Sequence, residues 1–219
     1  MKRFLSLLFV LTLTVLMLAC GGKKEAKQAE PQKPQVNQQE IAQKVQAMLE
    51  LKGQFDQLQT KKEKDELVQK LYNAAREIID LDPNNAEANG VMDFVQLYYA
   101  RGWMERGKYS KAKEMVENVL EFSPNNEEAK KLLEKINDWE FLTYDEFKKI
   151  KKHMTMEKVQ ELVGYPLQKL EQKDKLGRTV IAWIYREPEL KQKVVLYFTD
   201  NGVLYSKIWP KGKTATKKK

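Results

Sequence analysis

The 219-residue sequence predicts an α+β fold, in which N-terminal helical hairpins are followed by a small domain of two helices and three or four antiparallel strands. Apolar residues recur at helical spacing from Glu40 to about Trp139. A Pro-Asn-Asn pattern at Pro83 is repeated at Pro124. Strand-like runs fill the C-terminal part, and the last two are separated by Asn201-Gly202, a strong hairpin signal.

Residues 1–19 are predicted to be a lipoprotein signal peptide. Lys2 and Arg3 precede an apolar run of 16 residues, which is shorter than the ~20 residues of a membrane-spanning helix and suits a secretory signal. The run ends in Met17-Leu18-Ala19-Cys20, which resembles the lipobox of bacterial lipoproteins. This resemblance implies that the Cys20 thiolate takes a diacylglyceryl group before cleavage. An ordinary signal peptide or an uncleaved anchor is the alternative interpretation.

Residues 20–38 are predicted to be the lipidated cysteine and a flexible tether. Cys20 is the only cysteine, and acylation would remove a free thiol from an oxidising compartment. The tether is polar and holds two prolines, so it cannot bury enough apolar surface to offset its ordering entropy. Residues 21 and 22 are both glycine, so no acidic residue follows Cys20 directly. In enterobacterial lipoproteins an Asp at this point retains the protein at the inner membrane, so by resemblance its absence favours the outer membrane, on its periplasmic face.

The formal charge of +8 is concentrated at the ends of the chain. Residues 211–219 carry five lysines and no acid, and residues 21–38 carry four lysines and two glutamates. Without these ends and the cations of the signal peptide, the body holds 28 basic and 29 acidic residues. A near-neutral body in an exported chain argues against nucleic-acid binding. Residues 212–219 form a basic tail, either solvated or bound to an anionic surface.

Residues 39–139 are predicted to form a helical domain, in which Gly53 and the polar stretch from Gln59 to Glu63 separate the first two helices. The segment from Ile78 to Ala88 is echoed by the segment from Val119 to Ala129. In each segment an apolar helix end precedes a proline that cannot continue the helix, and Asn-Asn opens the next helix.

The stretch from Asp93 to Asn126 resembles the tetratricopeptide repeat. The resemblance rests on Ala100, Trp103, Gly107, Tyr109, Ala112, Val116, Val119 and Pro124. Repeat arrays bind partners on the inner face of their first helices, and the resemblance places Leu97, Arg101 and Met104 on this partner-binding face. The alternative, which the helical spacing of the nearby aromatic residues favours, is that this stretch only packs into the core.

Residues 140–211 are predicted to form the second domain. Its first helix is expected from Thr143 to Ile150, and its second from Met156 to Val163, with Thr155 as the N-cap and Gly164 ending it. Four strands are predicted at Leu167–Glu171, Thr179–Arg186, Lys193–Thr199 and Val203–Trp209.

The last two strands are expected to join in a type I′ turn at Asn201-Gly202, because both central residues of that turn need a positive φ. One face of the antiparallel sheet would bury Trp183 or Tyr185, together with Phe198 and Tyr205, against the helices.

Three segments of this domain resemble the SmpA/OmlA (BamE-like) family: residues 153–166, Trp183-Ile184-Tyr185 and residues 195–203. The family includes a small lipoprotein of the outer-membrane β-barrel assembly machinery. The resemblance implies a scaffold or regulator that contacts partner proteins and anionic lipid. His153 stands where the family has glycine, so a left-handed backbone is expected there, and the sole histidine is interpreted as a turn residue.

The sequence contains no pattern that indicates catalysis, a cofactor or a metal. Phosphate-binding loops, metal-ligand spacings and nucleophile elbows are absent from it. The carboxylate pairs Asp145-Glu146 and Glu127-Glu128 stand at predicted helix starts, where they interact favourably with the helix dipole. The protein is therefore not expected to be an enzyme.

Taken together, these features predict an outer-membrane-anchored lipoprotein that acts as a non-catalytic scaffold. Its expected partners are envelope proteins, including the barrel-assembly machinery, and the membrane reached through the N-terminal lipid. The alternative is a structural lipoprotein that binds anionic lipid, lipopolysaccharide or the cell wall through its basic tail. The sequence does not predict an oligomeric state.

Overall fold

The computed structural model describes residues 37–210. Cys20, nearly all of the tether and the basic tail lie outside the described residues, so what the sequence predicts for them stays a prediction. Within this range the fold is mixed α+β, with seven α-helices that precede a four-stranded antiparallel sheet. The predicted fold class is therefore confirmed. In the part of the chain that the structure describes, no helix combines the length and apolar character needed to span a bilayer.

The helical part holds five helices and one short 3₁₀ turn at Phe55–Gln57. The helices are α1 (Gln38–Gly53), α2 (Lys61–Leu81), α3 (Ala86–Glu105), α4 (Tyr109–Phe122) and α5 (Glu127–Trp139). Two shorter helices follow, α6 (Tyr144–Lys149) and α7 (Met156–Val163). The strands are β1 (Gln168–Lys173), β2 (Thr179–Arg186), β3 (Lys193–Thr199) and β4 (Leu204–Ile208).

The repeated Pro-Asn-Asn pattern works as the sequence predicts. Helix α2 ends just before Pro83, and the side chain of Asn85 accepts a hydrogen bond from the Ala88 N–H at 3.0 Å to cap α3. Asn126 caps α5 in the same way, through the Ala129 N–H at 3.0 Å. In both cases the second asparagine is the cap, because its side-chain oxygen reaches the N–H of the third helical residue.

Each helix from α1 to α5 packs against the next, and α3 also contacts α1 and α5. One core cluster lies between α1, α2 and α3, with Met48, Leu71 and Ile78 at its centre. A second lies between α3, α4 and α5, and Tyr109 and Ile136 are among its fully buried side chains. Helix α3 thus contributes to both cores, which fixes its orientation relative to the rest of the helical part.

The sheet has the strand order β1-β2-β3-β4, with every neighbouring pair antiparallel. The side chains of one face pack with α6 and α7; they include Trp183, Tyr185, Leu196, Phe198 and Leu204. This face is called the helix face below, and the opposite side of the sheet is called the open face.

The prediction that Tyr205 joins the helix face is wrong. Leu204 is the fully buried residue there, and Tyr205 lies on the other side of the sheet, with its ring centroid 6.2 Å from that of Tyr197. The reason is a register shift between Tyr197 and Phe198, which pairs Phe198 with Leu204 and leaves an extra residue in β4. One extra residue reverses the face on which a strand's side chains stand.

The predicted hairpin is present, but its turn is not type I′. Only Gly202 has a positive φ, of 74°, and Asn201 does not. The Gly202 N–H donates to the Thr199 carbonyl at 2.9 Å, and the Thr199 N–H donates to the Val203 carbonyl at 2.9 Å. This is a three-residue loop, in which one turn is followed by a left-handed glycine. Asp200 belongs to the loop as well, so the loop is one residue longer than predicted.

The segment between α6 and α7 confirms the expectation for His153, whose φ is 70°. Its N–H donates to the Leu204 carbonyl at 2.8 Å, which ties this turn to the start of β4. Thr155 caps α7, and Gly164 ends it with φ 76° and ψ −166°, a conformation that essentially only glycine adopts. The Thr155 cap and the Gly164 ending are local signals of the sequence, whereas the backbone of His153 is expected from the resemblance to the SmpA/OmlA family.

The helical part and the sheet share a packed junction. The Tyr109 hydroxyl at the start of α4 donates to the Tyr165 carbonyl at 2.6 Å, and the Tyr185 hydroxyl on β2 donates to the Gly164 carbonyl at 3.0 Å. The main chain of residues 164–165 is thus held from both sides by buried phenols, and the two parts belong to one compact unit.

Candidate partner-binding site

A cleft of about 600 Å³ lies between the start of α2 and the end of α3. It is called the aromatic cleft here, because three aromatic side chains and several cations share its wall. Its lining residues are Gln59, Lys61, Lys64, Asp65, Tyr98, Tyr99, Arg101, Gly102, Trp103, Glu105 and Arg106.

The start of α2 is fixed by a capping box. The Thr60 hydroxyl accepts from the Glu63 N–H, and the Glu63 carboxylate accepts from the Thr60 N–H at 3.0 Å. This reciprocal pair satisfies two main-chain donors at the helix end. The hydrogen bonds around the Glu63 carboxylate lower its pKa, chiefly the one from the Thr60 side chain. The first turn therefore holds Lys61, Lys64 and Asp65 in place at the rim of the cleft.

Tyr98 links the two walls of the cleft. Its hydroxyl donates to the Asp65 Oδ1 at 2.6 Å, and Lys61 forms an ion pair with Glu105 at 3.4 Å. Burial raises the pKa of the Tyr98 phenol, and the neighbouring Asp65 carboxylate raises it further. Burial also raises the pKa of Tyr99. Both phenols therefore stay protonated at neutral pH. The Tyr98 O–H is already donated to Asp65, which leaves the Tyr99 O–H to donate to a partner.

Two cationic side chains lie over the Trp103 ring. The Arg106 guanidinium lies 5.0 Å from the ring centroid, and the Lys111 ammonium lies 4.6 Å from it. Lys64 lies 5.2 Å from the Phe55 ring beside the cleft. Within residues 37–210, Lys64 and Arg106 form no ion pair with a carboxylate. Four cations and two carboxylates line the cleft, so its wall is net positive and partly aromatic.

Of the three residues predicted to face a partner, only Arg101 reaches the surface. Its side chain is 36% exposed and forms an ion pair with Glu128 on α5. Leu97 is 1% exposed and Met104 is 4% exposed, and both belong to the core between α3, α4 and α5. The placement of these two on an open face is therefore corrected, because α4 and α5 cover that side of α3.

The sequence pattern alone does not mark Tyr98, Tyr99, Lys61 or Arg106 as a site. The aromatic residues of α3 were expected to be core, and the structure leaves Tyr98, Tyr99 and Trp103 only half-buried. The signal was nonetheless present: consecutive antiparallel helices bring the start of α2 beside the end of α3. This pairing places the lysines after Thr60 opposite the aromatic residues that precede Arg106.

Two other surface features differ from the cleft in their lining. A more open depression of about 670 Å³ follows α1, and its apolar lining is aliphatic, including Ile41, Val45 and Leu49. A second surface, called the α6 patch here, consists of Tyr144, Lys148 and Trp209; the Lys148 ammonium lies 5.1 Å from the Tyr144 ring and forms an ion pair with Asp145 at 2.6 Å. In the α6 patch the Tyr144 and Trp209 rings are 5.1 Å apart. Neither feature combines several aromatic side chains with fixed donors in a cavity, as the aromatic cleft does.

In the part of the chain that the structure describes, no group of three or more His, Cys, Asp or Glu side chains is placed to hold a metal ion. Comparison of the chain with protein-family models, with characterised proteins and with solved structures finds no match. The resemblances to the tetratricopeptide repeat and to the SmpA/OmlA family therefore remain predictions from the sequence.

Proposed function

We propose that the protein is a lipid-anchored scaffold of the outer membrane, which binds segments of envelope proteins in the aromatic cleft. The observation that carries the proposal is the combination of half-buried aromatic rings with unneutralised cations around one cavity. Tryptophan, tyrosine and arginine are the residues that contribute most to protein–protein binding. No catalytic step and no cofactor belong to the proposal.

The chemistry of the cleft favours a partner segment that carries acidic and aromatic side chains. Carboxylates of the segment would pair with Lys64 and Arg106, and its rings would pack against Trp103 and Tyr99. The barrel-assembly machinery is the first set of partners to test, because the resemblance of the C-terminal domain to the SmpA/OmlA family points to it.

The anchor is tested by Cys20→Ala. Wild type is expected to incorporate a labelled fatty acid, and the variant is expected to incorporate none, because the acyl chains are attached to that sulfur. Incorporation of the labelled fatty acid is a better readout than the amount of protein in the membrane fraction. An uncleaved precursor of the variant keeps its apolar run and therefore stays on the membrane without being acylated. A wild-type protein without label would contradict the anchoring part of the proposal.

The cleft is tested by Trp103→Ala and Arg106→Glu in the full chain, after crosslinking in intact cells and purification in detergent. Each change is expected to lower recovery of barrel-assembly components by about 30-fold, the loss of a typical binding hot spot. Arg106 is exposed, so its variant keeps the fold and controls for damage by the Trp103 change.

The matched control is Phe122→Ala, because this ring is 82% exposed on α4 and lies outside the cleft. Its recovery of partners is expected to equal that of wild type. Equal recovery by all three variants would contradict the cleft as the binding site.

A second candidate function is binding to an anionic membrane surface, and the α6 patch favours it. Lys148 lies there beside Tyr144, the exposed Lys149 and Lys151 are close to it in sequence, and the lysine-rich residues 211–219 follow Trp209 and Pro210. Each lysine near an anionic surface contributes about 1 kcal/mol. If this were the main function, the Arg106 variant would behave as wild type while Lys149→Glu weakened binding to vesicles that contain anionic lipid.

A further inference from the structure

Strand β1 leaves one edge of the sheet open. It pairs only with β2, and all six of its residues are exposed. The Asp174 N–H donates to the Arg178 carbonyl at 2.9 Å, which sets the phase of the ladder between the strands. Because hydrogen-bonded residues alternate along an antiparallel strand, Gln168, Leu170 and Gln172 bond to β2. The N–H and C=O groups of Lys169, Glu171 and Lys173 therefore point away from β2, toward the open edge of the sheet.

We infer that a second copy of this chain pairs its β1 with this edge, antiparallel, about a two-fold axis through Leu170. The two sheets would then form one sheet of eight strands. In this register Lys169 stands opposite the partner's Glu171, and by symmetry Glu171 stands opposite the partner's Lys169. Both pairs are of opposite charge, and both belong to residues whose main-chain groups point outward.

Other registers fit worse. An axis through Glu171 would oppose two glutamates and would set Lys169 against the partner's Lys173. An axis that passes between two residues would place each residue whose main-chain groups point outward opposite one whose groups point toward β2. Such pairs cannot form the hydrogen bonds of an antiparallel ladder. An axis through Gln172 would pair Glu171 with the partner's Lys173, but it leaves only three strand residues of each copy paired, and Lys173 already donates to the Thr179 hydroxyl at 2.6 Å.

The side chains on both faces suit the Leu170 register. Lys169 lies on the helix face, with its ammonium 5.0 Å from the Trp183 ring, and Glu171 shares that face. Within residues 37–210 neither Lys169 nor Glu171 forms an ion pair. Leu170 is 40% exposed on the open face, and a non-hydrogen-bonded pair of leucines at the axis would bury both.

Lysines on an edge strand usually prevent pairing with other strands. On β1 the lysines also make the edge selective, because Glu171 lies between Lys169 and Lys173. A strand that places a base opposite Lys169 or an acid opposite Glu171 meets like charge, whereas a copy of β1 in the Leu170 register meets opposite charge at both positions. The edge is therefore selective for a second copy of the chain.

The test uses the full acylated chain in detergent, with two differently tagged copies expressed together. Wild-type copies are expected to capture each other. Lys169→Glu alone and Glu171→Lys alone are each expected to lower self-capture by about 10-fold, because two pairs per dimer change from attraction to repulsion. When a K169E copy is expressed with an E171K copy, every pair is again of opposite charge, so capture is expected to return to the wild-type level.

Lys173→Glu is the matched control, since it changes the same charge on the same strand outside the Leu170 register. It is expected to leave capture at the wild-type level. The inference is overturned if wild-type copies do not capture each other, if K173E weakens capture as much as K169E, or if the mixed pair is not restored. Failure of this test leaves the aromatic cleft unaffected, because that site lies on other elements.

Discussion

Gly107→Ala is expected to lower the free energy of unfolding by about 2–5 kcal/mol. Gly107 has a φ of 69°, and a Cβ built there would lie 2.1 Å from the Pro166 carbonyl oxygen and 2.7 Å from the Leu167 Cα. Both atoms belong to the main chain, so no side-chain rotation can relieve the contact. The helical part and the sheet would have to move apart.

The matched control for this prediction is Gly177→Ala. Gly177 has a φ of 77° in the turn between β1 and β2, but no atom lies within 4 Å of a Cβ built there. Gly177→Ala is expected to lower the free energy of unfolding by only about 1–2 kcal/mol, the cost of a left-handed backbone for a residue that has a Cβ. Urea unfolding of both variants measures the difference. Equal losses for the two variants would contradict the close approach of Gly107 to Pro166 and Leu167.

The parts of the fold that the sequence predicts correctly depend on local signals. Thr155 and Gly164 define α7 to the residue, and His153 has the left-handed backbone expected of it. Residues 179–186 and 193–199 form the strands predicted there. For α7 and the two strands a cap, a glycine or an alternating pattern acts within a few residues, so neighbouring sequence is sufficient. The backbone of His153 is expected instead from the resemblance to the SmpA/OmlA family, which has glycine at that position.

The errors arise where residues distant in sequence decide the outcome. The face of Tyr205 depends on a register shift against β3, and the burial of Leu97 and Met104 depends on how α4 and α5 cover α3. The contact of Gly107 with Pro166 joins segments that nothing in the local pattern relates. The same holds for the candidate site, since the aromatic cleft exists only because the start of α2 lies beside the end of α3.

Tyr185→Phe is expected to change both the stability at neutral pH and its dependence on alkaline pH. At neutral pH the variant leaves the buried Gly164 carbonyl without its hydrogen-bond donor, at a cost of about 1–3 kcal/mol. Burial raises the pKa of the Tyr185 phenol well above its ordinary value, and the neighbouring Tyr109 adds to this. The folded protein therefore holds the Tyr185 proton more tightly than the unfolded chain does.

A raised pKa in the folded state fixes the sign of the pH effect. Stability from Tyr185 is fully present below the unfolded pKa of about 10, and it is lost as the pH rises above that value, because only the unfolded chain releases the proton. The loss amounts to about 1.4 kcal/mol per pH unit for one proton. Lysines and the other tyrosines titrate in both proteins, so the difference between wild type and variant isolates this one group.

Unfolding free energies of wild type and Tyr185→Phe, measured in parallel from about pH 8 to about pH 11.5, give the test. Below about pH 10 the wild type is expected to be the more stable protein by a constant amount, and above it the advantage is expected to shrink by about 1.4 kcal/mol per pH unit. Tyr109→Phe provides a second case, because its phenol donates to the next carbonyl and burial raises its pKa too. A difference that stays constant across the whole range would mean that the Tyr185 phenol meets water in the folded protein, and that the segment between α7 and β1 is not held at the junction as the geometry requires.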